Sequence, residues 1–224
     1  MAEETNRTNS TQLLPQQIEA RSFAIIEQEL QALGCLPLPE ETAAIIKRVI
    51  HTTADFDYVR NLYVSPDAVQ AATEALCAGA VIVTDTSMAQ AGINKRTAAE
   101  LGCSVECLIA DPEVAERARQ QSSTRSVAAV DIAAARWPDG IYVVGNAPTA
   151  LMRLHERYTM GDFFPRLVIG APVGFVNVLE SKAMTLEQHV PHIVTRGRKG
   201  GSNVAAAIMN ALLYQVRPRA DFQL

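Results

Sequence analysis

The chain has 224 residues, 48 % apolar and 20 % charged, with 24 acidic against 20 basic side chains and a formal charge of −4. That length and mixture fit one globular α/β core and exclude a fibrous or low-complexity chain. A mildly acidic protein has no broad attraction for nucleic acid or an anionic membrane, so neither is an expected partner, and an anionic ligand must be held by local cations.

From the N-terminus, Met1–Gln12 is polar and lacks the basic-then-apolar order of a signal peptide, and no apolar run approaches a membrane span. Residues 1–14 read as a disordered tail, 15–216 as a single domain and 217–224 as a loose basic C-terminal tail, in a soluble, cytoplasmic protein. The first expected helix is Gln16–Ala32, with Ile18, Phe23, Ile26 and Leu30 on one side. The second is Pro39–Ile50, where Ala43, Ile46, Val49 and Ile50 recur at three and four. Asn61–Ser65 is a weak strand. Ser65-Pro66-Asp67 then carries a helix-start signal, Ser as cap and Pro in the first turn, for a helix to Gly79.

Stronger strands follow at Ala80–Thr84, Val105–Ala110, Ile141–Gly145, Leu167–Gly170 and His192–Thr195. They are rich in Val and Ile and lack polar alternation, as strands buried on both faces do. Between them Asp111-Pro112-Glu113 opens a helix over Val114–Gln120, and Pro148–Tyr158 and Ser202–Tyr214 read as two more. Strand and helix alternate, which predicts an α/β single domain: a mostly parallel sheet with helices on both faces, Rossmann-like and three-layered. Cys35, Cys77, Cys103 and Cys107 form no CxxC pair, so buried reduced thiols are expected and no metal site.

Ligands of open α/β sheets bind beyond the carboxyl ends of the strands. The segments there are Thr84–Ser87, Gly145–Pro148, Gly170–Gly174 and Thr195–Ser202, all rich in Gly, small or hydroxylated residues. In the last, Arg196, Arg198 and Lys199 lie among Gly197, Gly200 and Gly201 at the mouth of an Ala-rich helix with Ser202 as its expected cap. Helix-start amides plus three cations make an anion site; the same residues also suit a solvated surface turn. The spacing is not that of a P-loop, and GxGxxG is absent, so a nucleotide-dependent enzyme is disfavoured. His155 reads as a surface residue and His192 as a satisfied buried one. His51 ends the second helix three residues after Arg48, on one face with it. A neighbouring cation disfavours imidazolium, which suits a proton-exchanging group; a helix-end histidine favoured by the dipole would look the same. Asp55, Asp57 and Asp85 are candidate acids with no evident partner, and no GxSxG elbow or catalytic Cys–His spacing occurs.

Several stretches carry a resemblance. They are Arg21–Ile26 (RSFAII), Arg48–His51 (RVIH), Thr124–Ala129 (TRSVAA), Gly145–Leu151 (GNAPTAL), Gly170–Val176 (GAPVGFV), Glu180–Lys182 (ESK) and Thr195–Ser202 (TRGRKGGS). In this order, over roughly Arg21 to Leu213, the chain resembles the precorrin-8X, or cobalt-precorrin-8, methylmutases. It departs from the pattern at Ala54, where some relatives carry Gly, and at Ser122-Ser123, which stand for Gly-Asn. The resemblance implies a homodimeric isomerase of cobalamin biosynthesis, without cofactor, that moves a methyl group from C-11 to C-12 of (cobalt-)precorrin-8 to give hydrogenobyrinate or cobyrinate. It makes His51 the proton donor or acceptor and Ser22 and Arg48 substrate contacts. With the anion-site reading, Arg125, Ser126, Arg196, Gly197, Arg198, Gly200 and Gly201 complete the expected set for a carboxylate-rimmed tetrapyrrole. The competing expectation is a non-catalytic corrinoid-binding carrier.

Overall fold

The structure, a computed structural model, describes residues 15–218; the expected N-terminal tail, residues 1–14, and residues 219–224 lie outside it. Two helices lead the fold, α1 (Pro15–Ala32) and α2 (Glu40–Thr53), followed by a single turn, α3 (Tyr58–Asn61). Then come β1 (Leu62–Val64), α4 (Ala68–Cys77), β2 (Ile82–Thr84), α5 (Ser87–Gly92), α6 (Lys95–Glu100) and β3 (Val105–Glu106). The second half runs α7 (Pro112–Gln120), α8 (Arg125–Arg136), β4 (Ile141–Val144), α9 (Pro148–Met160), β5 (Leu167–Gly170), α10 (Val178–Leu186), β6 (His192–Thr195) and α11 (Ser202–Val216).

The six strands form one sheet in the order β1-β6-β5-β4-β2-β3. Every pairing is parallel except β1 with β6, where Leu62 faces Thr195 and Val64 faces Ile193. The expected mostly parallel α/β sheet is therefore observed. Its strands are apolar at both parities because both faces are covered. Ile82, Ile141, Val143, Leu167, Ile169 and Ile193 join the core beneath α1, α2, α4 and α11. Val83, Tyr142, Val144 and Val168 join a second core beneath α7, α8 and α9. α11 is the innermost helix: Val204–Met209 and Ala211–Leu213 are buried.

Several local expectations are corrected. The strand expected over Val105–Ala110 is only Val105–Glu106, an edge strand paired to β2 alone. The Gln90 side-chain amide donates to Val105 O at 2.8 Å, so a side chain takes the place of a further strand. Ser65 does not cap α4, which starts at Ala68. Its hydroxyl donates to Asp67 Oδ1 and accepts from His192 N at 3.0 Å, tying β1 to β6. Asp111, by contrast, caps α7, accepting from Glu113 N at 2.9 Å. α8, which begins at Arg125, has no counterpart among the expected helices. Thr124 caps it by accepting from Val127 N at 3.2 Å. Cys77 is exposed, against the expectation of four buried thiols.

Ala54, the residue after α2, has φ +54°, and Ser122 has φ +50°. Both are left-handed, a conformation that costs a side chain roughly 1–2 kcal/mol and that glycine adopts freely. These are the positions at which the resemblance noted above implies glycine, at Ala54 in some relatives only. The departures keep the backbone shape and carry its steric cost.

Candidate active site

The four Gly-rich segments beyond the strand ends come together. Thr86 Oγ1 lies 2.8 Å from Ser202 Oγ, joining the end of β2 to the start of α11. Gly145 packs against the same turn, where a Cβ would stand 2.6 Å from Ser202 Cα. Gly200 packs onto the Ala171 and Pro172 carbonyls with no room for a side chain, and Gly201 N donates to Ala171 O at 2.8 Å. Glycine is required at 145 and 200 because backbone meets backbone there. Ser202 is not the cap of α11 but its first residue. Gly201 occupies the cap position and makes no side-chain bond, and the Ser202 hydroxyl is turned to Thr86.

One half-buried carboxylate organises the loop after β4. Asp85 accepts from the amides of Gly145, Asn146 and Ala147 at 2.8–2.9 Å. It thereby fills the anion position ahead of α9, where an unoccupied helix start would attract a ligand carboxylate. Burial holds its pKa above the ordinary carboxylate value, with the three amides opposing that rise.

The antiparallel direction of β1 determines where His51 sits. Because Leu62 pairs with Thr195, the chain enters β1 at the carboxyl edge of the parallel strands, and α3 and the end of α2 lie at the same mouth. His51 occupies the last turn of α2 and is exposed. Its ring stacks on Phe23 of α1, 5.1 Å between centroids at 15°. Arg48, one turn earlier, meets the same ring at 4.9 Å, lies 5.1 Å from the Tyr214 ring and forms an ion pair with Glu19. The expectation that Arg48 and His51 share a face is met. Arg48 is not a bare cation beside the imidazole, because Glu19 balances it. Ser22, expected at the substrate, donates to Ile18 O at 2.8 Å on α1.

The cationic loop meets this helix end directly. Lys199 Nζ donates to Asp55 Oδ2 at 2.7 Å and to Asp57 Oδ2 at 2.6 Å, and Arg196 N donates to Asn61 O at 2.6 Å. Lys199 is thus spent on two carboxylates, which corrects the reading of three available cations. It is also the partner that Asp55 and Asp57 lacked in the sequence. Arg196 and Arg198 are exposed and stack over aromatic rings instead, Tyr63 at 4.9 Å and Phe175 at 5.9 Å. A guanidinium placed over a ring keeps N–H donors for another acceptor. Beneath the loop, Lys182 is buried and donates to Gly197 O at 2.7 Å and Lys199 O at 2.8 Å.

Arg125 opens α8 on the far side of the mouth and is exposed; Ser126 beside it lines a small cavity with Thr84, Asp85 and Val144. The contact of Thr124 Oγ1 with Thr149 Oγ1, 3.4 Å, sets the starts of α8 and α9 side by side. Of the remaining histidines, His155 is half-buried against Gln188 rather than free on the surface. His192 is buried with Nδ1 2.8 Å from Val190 O, while among the described residues its Nε2 has no hydrogen-bond partner, so there it is only half satisfied. Sequence reasoning missed the roles of Phe23, Asp85 and Lys182. Phe23 reads as one more residue of an apolar stripe, and a half-buried aspartate or a buried lysine has no local signature.

Together these features define an α/β protein whose mouth offers guanidinium groups, flat aromatic and apolar surface and one accessible imidazole. A sequence profile of the precorrin-8X methylmutase family matches residues 17–215, and the chain belongs to that family. It is accordingly a methylmutase, an isomerase of cobalamin biosynthesis. It is 49 % identical to the cobalt-precorrin-8 methylmutase of Salmonella typhimurium, over 91 % of this chain and 96 % of that one. It is 41 % identical to the cobalt-precorrin-8 methylmutase of Priestia megaterium, over 88 % and 87 %. The precorrin-8X methylmutase of Pseudomonas aeruginosa is 38 % identical over 88 % and 94 %. The solved precorrin-8X methylmutase of Thermus thermophilus superposes with a TM-score of 0.81 at 42 % identity, covering 89 % of this chain and 95 % of that one.

Proposed function

We propose that this chain moves the methyl group of precorrin-8, or of cobalt-precorrin-8, from C-11 to C-12, giving hydrogenobyrinate or cobyrinate, with His51 as proton donor or acceptor. The observation that carries the reading is the position of His51. It is an exposed imidazole held flat on Phe23 at the helix end that Asp55 and Asp57 join to the cationic loop. The relatives named above act on precorrin-8X or cobalt-precorrin-8, which supports a corrinoid as substrate.

The chemistry follows from the side chains. The substrate is a flat macrocycle rimmed with carboxylates, so a net-negative protein must hold it through local donors. Arg196, Arg198 and Arg125 supply them, with the open Gly197 letting the rim approach the backbone, Gly200 and Gly201 folding the loop onto Ala171, and Ser126 close to Arg125. Ser22 stands beside Phe23 on α1, its hydroxyl oxygen able to accept. Arg48 steadies the Phe23 face on which His51 rests. Val173 and Phe175 offer apolar cover for a ring face, Phe175 being 85 % exposed, whereas Pro172 is buried. The migration is a [1,5]-sigmatropic shift. The methyl leaves C-11 as it bonds to C-12, with no change in the electron count of the molecule. A proton or strong hydrogen bond from His51 to the conjugated system favours the tautomer that rearranges and stabilises charge developing in the transition state. We read the working form as a homodimer, supported by the exposed Val176 and Leu179 beside Phe175. We place it in the cytoplasm, a reducing compartment that keeps the exposed Cys77 a thiol.

Conversion of precorrin-8 and of cobalt-precorrin-8, each followed by absorbance of the corrin product, tests the function. Replacement of His51 by Ala should lower kcat by ~10²–10⁴-fold while leaving corrinoid binding in place. Near-normal turnover by that variant would reject the role of His51. Wild-type protein that binds corrinoid but converts neither substrate would be a carrier.

A further inference from the structure

We infer that Lys182 is a positioning residue, holding the Arg196–Gly200 loop from beneath so that the loop presents its guanidinium groups, and not its carbonyl oxygens, to an anionic ligand. The inference deepens the proposed function and rests on reading this loop as the carboxylate-binding wall.

A loop that binds anions must turn its carbonyl dipoles away from them. Here three consecutive carbonyls are engaged. Gly197 O accepts from Lys182 Nζ at 2.7 Å, Arg198 O accepts from Gly174 N at 3.3 Å, and Lys199 O accepts from Lys182 Nζ at 2.8 Å and Thr195 Oγ1 at 3.0 Å. Lys182 supplies two of these bonds from one atom, on either side of Arg198. Its side chain is 2 % exposed. Among the described residues no ion pair joins it to a carboxylate; its partners are neutral oxygens. Burial without a counter-charge pulls its pKa down to about 8. An ammonium group in such a place works against the stability of the charged form, and its return is the shape of the loop. Charge-assisted bonds to carbonyls are the stronger kind, and two from one atom fix the chain on both sides of Arg198. The loop's own lysine cannot do this, since Lys199 Nζ is bonded to Asp55 and Asp57.

The test uses the full chain with Lys182→Met, which removes the donors, and Lys182→Gln, which keeps N–H donors without the charge. Trypsin reports the loop directly, because its sites after Arg196, Arg198 and Lys199 are cut only when the loop opens. In Lys182→Met these sites should be cut about tenfold faster than in wild type, and KM should rise about tenfold with kcat within about twofold. Lys182→Gln should recover the larger part of both. A wild-type digest and wild-type KM in Lys182→Met would overturn the inference, as would loss of the global fold in both variants, which would make Lys182 a folding residue. Faster cutting with unchanged KM would leave the clamp standing and reject this loop as the corrinoid's binding wall. Wild-type protein inactive on both corrinoids, with cutting still accelerated in Lys182→Met, would mark failure of the proposed function alone.

Discussion

Lys199 Nζ lies 2.7 Å from Asp55 Oδ2, and this ion pair ties the helix end that carries His51 to the loop that carries Arg196 and Arg198. The second pairing, to Asp57 at 2.6 Å, makes the junction a fork. His51 and the two arginines come from opposite ends of the chain, so their separation depends on such junctions.

Removing the junction as Lys199→Met should therefore lower kcat/KM roughly two- to fivefold at low ionic strength, a modest figure because the pair is exposed. Wild type should approach the variant as salt rises. The Lys199 hydrogen bond, then its charge, holds the Asp57 carboxyl below the ordinary carboxylate range. A depressed carboxylate pKa gives a contribution that is present above the unfolded value and is lost only as pH falls through the lower folded value. The fork is thus intact at neutral pH, and Lys199→Met should add no inflection to the pH–rate profile between about pH 5 and pH 9. Steady-state rates across salt and pH decide it; equal kcat/KM in both proteins at low salt would remove the fork from the mechanism.

Asp85 gives the opposite sign. Asn in its place offers one oxygen, and an NH₂ group directed at amide donors, to Gly145, Asn146 and Ala147. The loss should be about 1–3 kcal/mol, seen as a lower midpoint in thermal or urea unfolding at neutral pH. Burial holds the folded pKa of Asp85 above its unfolded value, so the folded state takes up this proton first as pH falls. In that window acidification stabilises wild type and not Asp85→Asn. The gap between the two proteins should widen as pH is lowered from neutral through the folded pKa. A gap that narrows would mean that the three amides, and not burial, dominate the Asp85 carboxyl.

Ala54 and Ser122 offer a gain of function-neutral stability. Each sits at positive φ, +54° and +50°. Ala54→Gly and Ser122→Gly relieve the left-handed cost, partly offset by greater freedom of the unfolded chain, for a net gain of about 0.5–1 kcal/mol each. The sites lie on separate elements and the gains should add. Together they should raise the unfolding midpoint by about 2–8 °C with activity retained. A lower midpoint in both single variants would show that the side chains make contacts worth more than the strain.

The strands were legible because continuous Val and Ile runs have one economical use, burial on both faces of a parallel sheet. The anion loop was legible because glycines and cations coincide where a strand meets a helix. α5 and α6, at six residues each, are too short to show a helical period, and they were missed. Arg125 entered the expected set through the resemblance, while the helix it opens was not expected, because an Ala-rich segment has weak polarity contrast.

The sequence by itself determined the layer structure, the Gly-rich edge and, through motif order, the family. Those properties are local or periodic, so neighbouring residues suffice to specify them. Only the tertiary structure decided that β1 runs antiparallel to β6 and brings His51 to the carboxyl edge of the parallel strands. It alone showed that Lys199 is neutralised by Asp55 from 144 residues away, and that Lys182 and Asp85 hold the loops from beneath. The charge of a side chain is written in its residue type. Whether that charge is free depends on which groups the fold brings within hydrogen-bond reach, and separation along the chain does not record that distance.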